Sequence, residues 1–153
     1  SQGIPFLHGG VDFARTKDGN DNSYNAGVDL NKMDYARKAE FLELFHYYRD
    51  MIELRKNHPA FRMGSSQEIR DNLSFLDAPR NMVAFILNGS AVNDPWNEIL
   101  VIFNGNLEDA SITLPNGKWN LAVDSETVSN VSLGELQGDV VLEAISTYIL
   151  FKH

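Results

Sequence analysis

The sequence has no cysteine, which excludes a disulfide framework and any thiolate-bound metal. It is also short of positive charge. Thirteen Lys and Arg stand against 21 Asp and Glu, for a net charge of -8, so the basic footprint that binds a nucleic-acid backbone is missing. A neutral sugar or another small molecule remains compatible as a partner. No apolar run approaches the roughly 20 residues that cross a bilayer. The longest, such as Met82-Val83-Ala84-Phe85-Ile86-Leu87, are far too short, and no membrane partner is expected. No charged-then-apolar leader opens the chain. The histidines His8, His46, His58 and His153 lack the spacing of metal ligands, so neither a metal nor a cofactor is expected. There is no internal repeat and no low-complexity tract. What is present is ordinary globular composition, 43% hydrophobic over 153 residues, enough for one domain or for a small domain with an appendage.

The texture divides the chain into 1–63 and 64–153. In the first part, Phe41, Leu44, Phe45, Tyr48, Ile52 and Arg55 recur at helical spacing, with Tyr47, Met51 and Leu54 broadening the stripe. Asp34 suits an N-cap. The basic cluster Arg55-Lys56-Asn57-His58 suits the negative end of a helix dipole. Pro59 then stops the helix, because the residue before a proline resists the α region. One helix over Tyr35–Asn57 is predicted.

The second part changes period. Met82–Leu87, Ile99–Phe103, Val140–Leu142 and Thr147–Phe151 are short β-rich runs separated by turn signals. Ser111–Leu114, Pro115-Asn116-Gly117 and Lys118–Leu121 predict a hairpin. The expected fold is mainly β: an antiparallel β-sandwich with a helical segment before it. Trp119 is expected in the core, and Trp96, in the polar stretch Asn88–Asn97, at the surface.

Two stretches carry a family resemblance. "FLELFHYYRDMIELRKNHPAFR", residues 41–62, resembles the last barrel helix of the α-amylase superfamily of glycoside hydrolases. "QGIPFLHGGVDFARTK", then "DNSYN" and a D-x-N-x-x-D pattern at Asp29, Asn31 and Asp34, resembles the last strand and loop of type I pullulanases, which cut α-1,6 linkages in pullulan and branched starch. The resemblance is tight over residues 2–63 and looser over 64–153. Three positions depart from it: Val11 and Asp12, where the family usually has a Gln or Glu and then Glu, and Tyr35, where it commonly has Trp.

The resemblance implies that residues 1–63 are the eighth βα unit of a (β/α)8 barrel: strand Ile4–Leu7, its loop and its helix. Residues 64–153 would be the β-sandwich that follows the barrel. The family's catalytic carboxylates would lie before Ser1, so no catalytic residue is assigned here and the isolated chain is expected to hydrolyse nothing. Two alternatives stay open: a part of another superfamily member, such as an α-amylase or neopullulanase-type enzyme, and an independent β-sandwich that binds carbohydrate or protein.

Candidate substrate-binding residues are Tyr24, Asn25, Asn22 and Arg15, close together in the loop. Amides and a phenol offer the mixed donors and acceptors that sugar hydroxyls need, and a tyrosine ring adds a stacking face. The same composition is also what turns favour. Asp18–Asn22 lacks the spacing and the terminal Glu of a calcium loop. Arg55 and His58 are expected to cap and dock the helix end. An α-glucan is the expected partner of the longer protein. A homodimer through the helix stripe is the expected association of this chain alone.

Overall fold

The computed structural model describes residues 2–153. They fall into two compact units, residues 4–50 and residues 51–153, the second also taking in Gln2 and Gly3.

The first unit is built of turns and helices: a 3-10 turn at Val11–Phe13, then α1 (Val28–Asn31), α2 (Arg37–Glu40) and the opening turns of α3 (Leu42–Asn57). Three expectations are corrected here. Ile4–Leu7 forms no strand, and Ile4 and Phe6 are 97% and 87% exposed. A strand exists only through its ladder, and no neighbouring strand among the described residues pairs with this run. The single helix over Tyr35–Asn57 is broken at Phe41, whose backbone (φ -110, ψ 43) leaves the helical region. Beside the break, the Arg37 guanidinium donates twice to the Ala14 carbonyl, at 3.1 and 2.9 Å, and lies 4.7 Å from the centre of the Phe41 ring. That fixes α2 against the loop. The Asp34 carboxylate accepts the Ala36 amide at 3.0 Å, but α2 starts at Arg37 with Ala36 as its N-cap and no side-chain cap, so the N-cap expected at Asp34 does not form.

The second unit opens with the rest of α3 and with α4 (Ser66–Asn72). Its strands are β1 (Leu73–Phe75), β2 (Met82–Asn88), β3 (Glu98–Asn104), β4 (Ala110–Thr113), β5 (Trp119–Val123), β6 (Gly134–Leu136), β7 (Asp139–Leu142) and β8 (Ser146–Lys152). Six form one sheet in the order β1-β2-β3-β8-β5-β6, and β4 pairs with β7 in a second. Every pairing is antiparallel. Met82 and Ala84 of β2, Leu100 and Ile102 of β3, Tyr148 and Leu150 of β8 and Trp119 of β5 pack with Ile112 and Leu142 of the small sheet. This is the filling of a β-sandwich.

The opposite face of the large sheet is apolar as well. Ladder register puts Phe85 opposite Val101, Leu87 opposite Ile99 and Ile99 opposite Phe151, all buried. Burial on both faces is why Ile99–Ile102 reads as an unbroken apolar run and not as an alternation.

Two further expectations are corrected. The Ser111–Leu121 stretch is no hairpin. β4 pairs with β7 and β5 with β8 and β6, so the turn at Pro115-Asn116-Gly117 carries the chain from one sheet to the other. Leu114 and Trp119 on its two sides both sink into the core between the sheets, and the Trp119 indole donates to the Pro115 carbonyl at 2.9 Å. Trp96 is 2% exposed, not a surface ring. It stacks on Phe151 with centroids 4.0 Å apart and planes within 8°.

Candidate functional site

The four candidate residues all lie in the first unit, on the loop between the 3-10 turn and α1. Gly10, at φ 91, lets the chain double back on itself. A Cβ there would come within 2.8 Å of the Arg15 Cβ, so the side chain of Arg15 occupies the space that glycine leaves. From that position Arg15 donates to the Asn31 carbonyl at 2.7 Å and to the Gly9 carbonyl at 3.4 Å. Its Nε is buried with no hydrogen-bond partner among the described residues.

Asn31 closes α1 and is the hub of the loop. Its amide nitrogen donates to the carbonyls of Ser23 and Ala26, both at 2.9 Å, and reaches that of Gly27 at 3.4 Å. Its side-chain oxygen accepts the Lys17 ammonium at 2.5 Å. Within the turn so held, the Ala26 amide bonds the Ser23 carbonyl at 3.1 Å. Tyr24 and Asn25 sit at the tip. Tyr24 is 84% exposed, and Asn25 is exposed beside it. Asn22 precedes the turn, also exposed, its own amide held by the Asn20 side chain at 3.0 Å. The side chains of Asn22, Tyr24 and Asn25 make no hydrogen bond to the rest of the described residues, so their polar groups are free for a ligand. Asn31 thus links Arg15 to the turn that carries Tyr24 and Asn25, while Asn22 lies just before that turn, tied to Asn20. Asn31 escaped the sequence reading as a site residue, although the D-x-N-x-x-D pattern contains it.

The second unit holds the other concentration of polar chemistry. His58 and Asp94 are both buried, and the His58 ring nitrogen lies 2.7 Å from the Asp94 carboxylate. The same carboxylate accepts the amides of Ala60 and Trp96, each at 3.0 Å. Burial pushes the Asp94 carboxyl up, but the bonds from His58, Trp96 and Ala60 outweigh it and hold the group below its ordinary value. His58 also stacks on Trp96 at 3.7 Å. Arg62 donates to the carbonyls of Arg55 and Lys56 at 3.0 and 2.9 Å, capping the end of α3. Arg55 in turn bonds the Phe61 carbonyl and, at 2.6 Å, that of Gly3. The "LRKNHPAFR" stretch is therefore a lock on the helix end. Its Arg55, His58 and Arg62 are spent on structure, as expected for the first two.

The fold is an antiparallel sandwich entered through a helix with a locked end, and the proteins it resembles are glycoside hydrolases. The particular proteins are pullulanases: residues 69–127 match the family described as "Pullulanase, all-beta domain". The homology runs the length of the chain. It is 35% identical over 152 residues to the pullulanase of Bacillus subtilis (strain 168), covering 99% of this chain and 21% of that protein. Among solved structures, the pullulanase from Bacillus acidopullulyticus superposes with a TM-score of 0.93 at 46% identity, over 99% of this chain and 19% of that one. The pullulanase from Paenibacillus barengoltzii, solved with maltohexaose and α-cyclodextrin, gives 0.84 at 38% identity, over 99% of this chain and 23% of that one. The chain therefore spans about a fifth of the length of the relatives it matches.

Proposed function

We propose that this chain is the C-terminal portion of a debranching hydrolase that cleaves α-1,6-glucosidic bonds in pullulan, branched starch or glycogen. The observation that carries this reading is the similarity to pullulanase structures over 99% of the chain at up to 46% identity. On this reading residues 1–63 supply the eighth βα unit of the catalytic barrel, and residues 64–153 are the sandwich behind it. Ile4–Leu7 would then be the last barrel strand, unpaired here because its partner strands belong to the preceding part of the protein. Active sites of such barrels sit at the end from which the βα loops project, which is where the loop bearing Tyr24 would lie.

Glycosidases of the retaining kind need two carboxylates about 5 Å apart, one a nucleophile and one an acid/base. None of the acids in this chain matches the family's catalytic motifs, so the chain contributes substrate contacts and not the chemistry. Tyr24 would stack on a glucose ring, and Asn25 and Asn22 would bond its hydroxyls. Arg15 would hold that surface in place and offer its remaining donors. Pullulanase structures containing malto-oligosaccharides support an α-glucan as the partner.

Alone, the chain would hydrolyse nothing. It would also pair with a second copy through the helix stripe, where Phe41, Leu44, Phe45 and Tyr48 are only half-buried and Ile52 is 46% exposed. Incubation with pullulan, followed by a reducing-end assay, tests the central point. No release is expected. Turnover that survives repurification and disappears when an acid of this chain is replaced would overturn it.

A further inference from the structure

We propose that Asn31 is the positioning residue that presents Tyr24 and Asn25 to the glucan, an inference that rests on the reading of this loop as a substrate-contact surface. Three features carry it. First, both amide hydrogens of Asn31 are spent on one structure, the turn that bears Tyr24 and Asn25, while its oxygen is held by a cation. Both amide hydrogens go to the carbonyls that bracket the turn, Ser23 and Ala26, with Gly27 at longer range, and the oxygen takes the Lys17 ammonium. Second, its backbone carbonyl receives Arg15, so the two cationic residues of the loop converge on this one asparagine. Third, the turn has little else to hold it: Tyr24 is 84% exposed, and neither Tyr24 nor Asn25 bonds the rest of the described residues through its side chain. A binding surface of two outward side chains on a short turn has only the precision that its anchor gives it.

The amide is the group such an anchor requires. It must donate to carbonyls on one side and accept from an ammonium on the other, and a carboxylate of equal size cannot do both. Asn31→Asp would keep the bond to Lys17 and set an oxygen against the Ser23 and Ala26 carbonyls, releasing the turn. Lys17→Met removes the ammonium that orients the amide and is the milder perturbation.

The test is steady-state hydrolysis of pullulan by the full-length enzyme. Asn31→Asp is expected to raise KM about tenfold, with kcat within about twofold, because Tyr24 and Asn25 would hold the ground state and the transition state of the glucan equally well. Lys17→Met is expected to shift KM in the same direction and by less. A positioning role makes a further demand that a merely structural one does not. In a Tyr24→Ala/Asn25→Ala background, Asn31→Asp should add nothing to KM, since nothing is left to present. If Tyr24→Ala/Asn25→Ala raises KM while Asn31→Asp and Lys17→Met leave it unchanged, the inference about Asn31 is overturned and the contact reading stands. The inference is equally overturned if Asn31→Asp raises KM by the same factor in both backgrounds. If Tyr24→Ala/Asn25→Ala itself leaves KM unchanged, the contact reading falls, and the role of Asn31 falls with it.

Discussion

Replacing Asp94 with alanine should destabilise the sandwich unit more than almost any other single polar change. The carboxylate is fully buried and accepts three hydrogen bonds, from the His58 ring at 2.7 Å and from the Ala60 and Trp96 amides at 3.0 Å. Truncation leaves three buried donors without an acceptor. Each orphaned group costs about 1–3 kcal/mol, and partial rearrangement recovers some of that. A loss of about 3–5 kcal/mol is expected, the range for breaking a buried pair from one side. For a chain of this size that lowers the melting midpoint by roughly 10–20 °C.

The pH dependence has a definite sign. Asp94 titrates below its ordinary value when folded, so its contribution is complete above the unfolded carboxylate value of about 3.9. It declines as pH falls below that point and is gone beneath the depressed folded value. Urea unfolding of the unsubstituted chain and of Asp94→Ala, followed by circular dichroism, should show a gap at neutral pH that narrows in acid below about pH 4. A gap below about 1 kcal/mol at neutral pH, or one that does not narrow in acid, would refute this reasoning. So would a cost that is unchanged in a His58→Ala background, because contacting residues must couple.

Two further changes follow from local geometry. Ile145 holds a left-handed backbone, φ 47, with its side chain 65% exposed. Ile145→Gly should therefore relieve conformational strain without losing packing and raise stability by up to about 1 kcal/mol, read as a higher urea midpoint. Ser65 caps α4 by accepting the Glu68 amide at 3.1 Å, while the Glu68 carboxylate takes the Gly64 amide at 2.7 Å. Ser65→Ala should cost about 1 kcal/mol by the same measurement, and Ser65→Thr far less.

Much of the sandwich was legible because its strands announce themselves locally. β2, β3, β7 and β8 fall within a residue or so of their apolar runs. What escaped depends on partners distant in sequence. The pairing of β4 with β7 instead of β5 is decided by where Leu114 and Trp119 are buried, and nothing within Ser111–Leu121 records that. Trp96 sits in a polar stretch, yet it is drawn inward by Phe151 on one side and His58 on the other. Asp94 is likewise an ordinary loop acid until the end of α3 arrives beside it. The break at Phe41 lies beside an Arg37 that reaches back to Ala14, a contact across 23 residues that no local pattern records. By contrast, α4 could have been read: Ser65 followed three residues later by Glu68 is a capping signature. In the candidate site, Asn22, Tyr24 and Asn25 were picked by chemical type, and the structure places all three at the surface. Asn31 was not, because an anchor inside a loop has no composition that distinguishes it from another turn residue.

Membership of a debranching hydrolase is tested most directly by what precedes this chain in its protein. Sequencing the coding region upstream of the Ser1 codon should reveal several hundred further residues in the same frame. Those residues should carry the seven earlier βα units of the barrel and the paired carboxylates that hydrolysis requires. A stop codon there, or an unrelated domain without such a pair, would contradict the assignment to a debranching hydrolase.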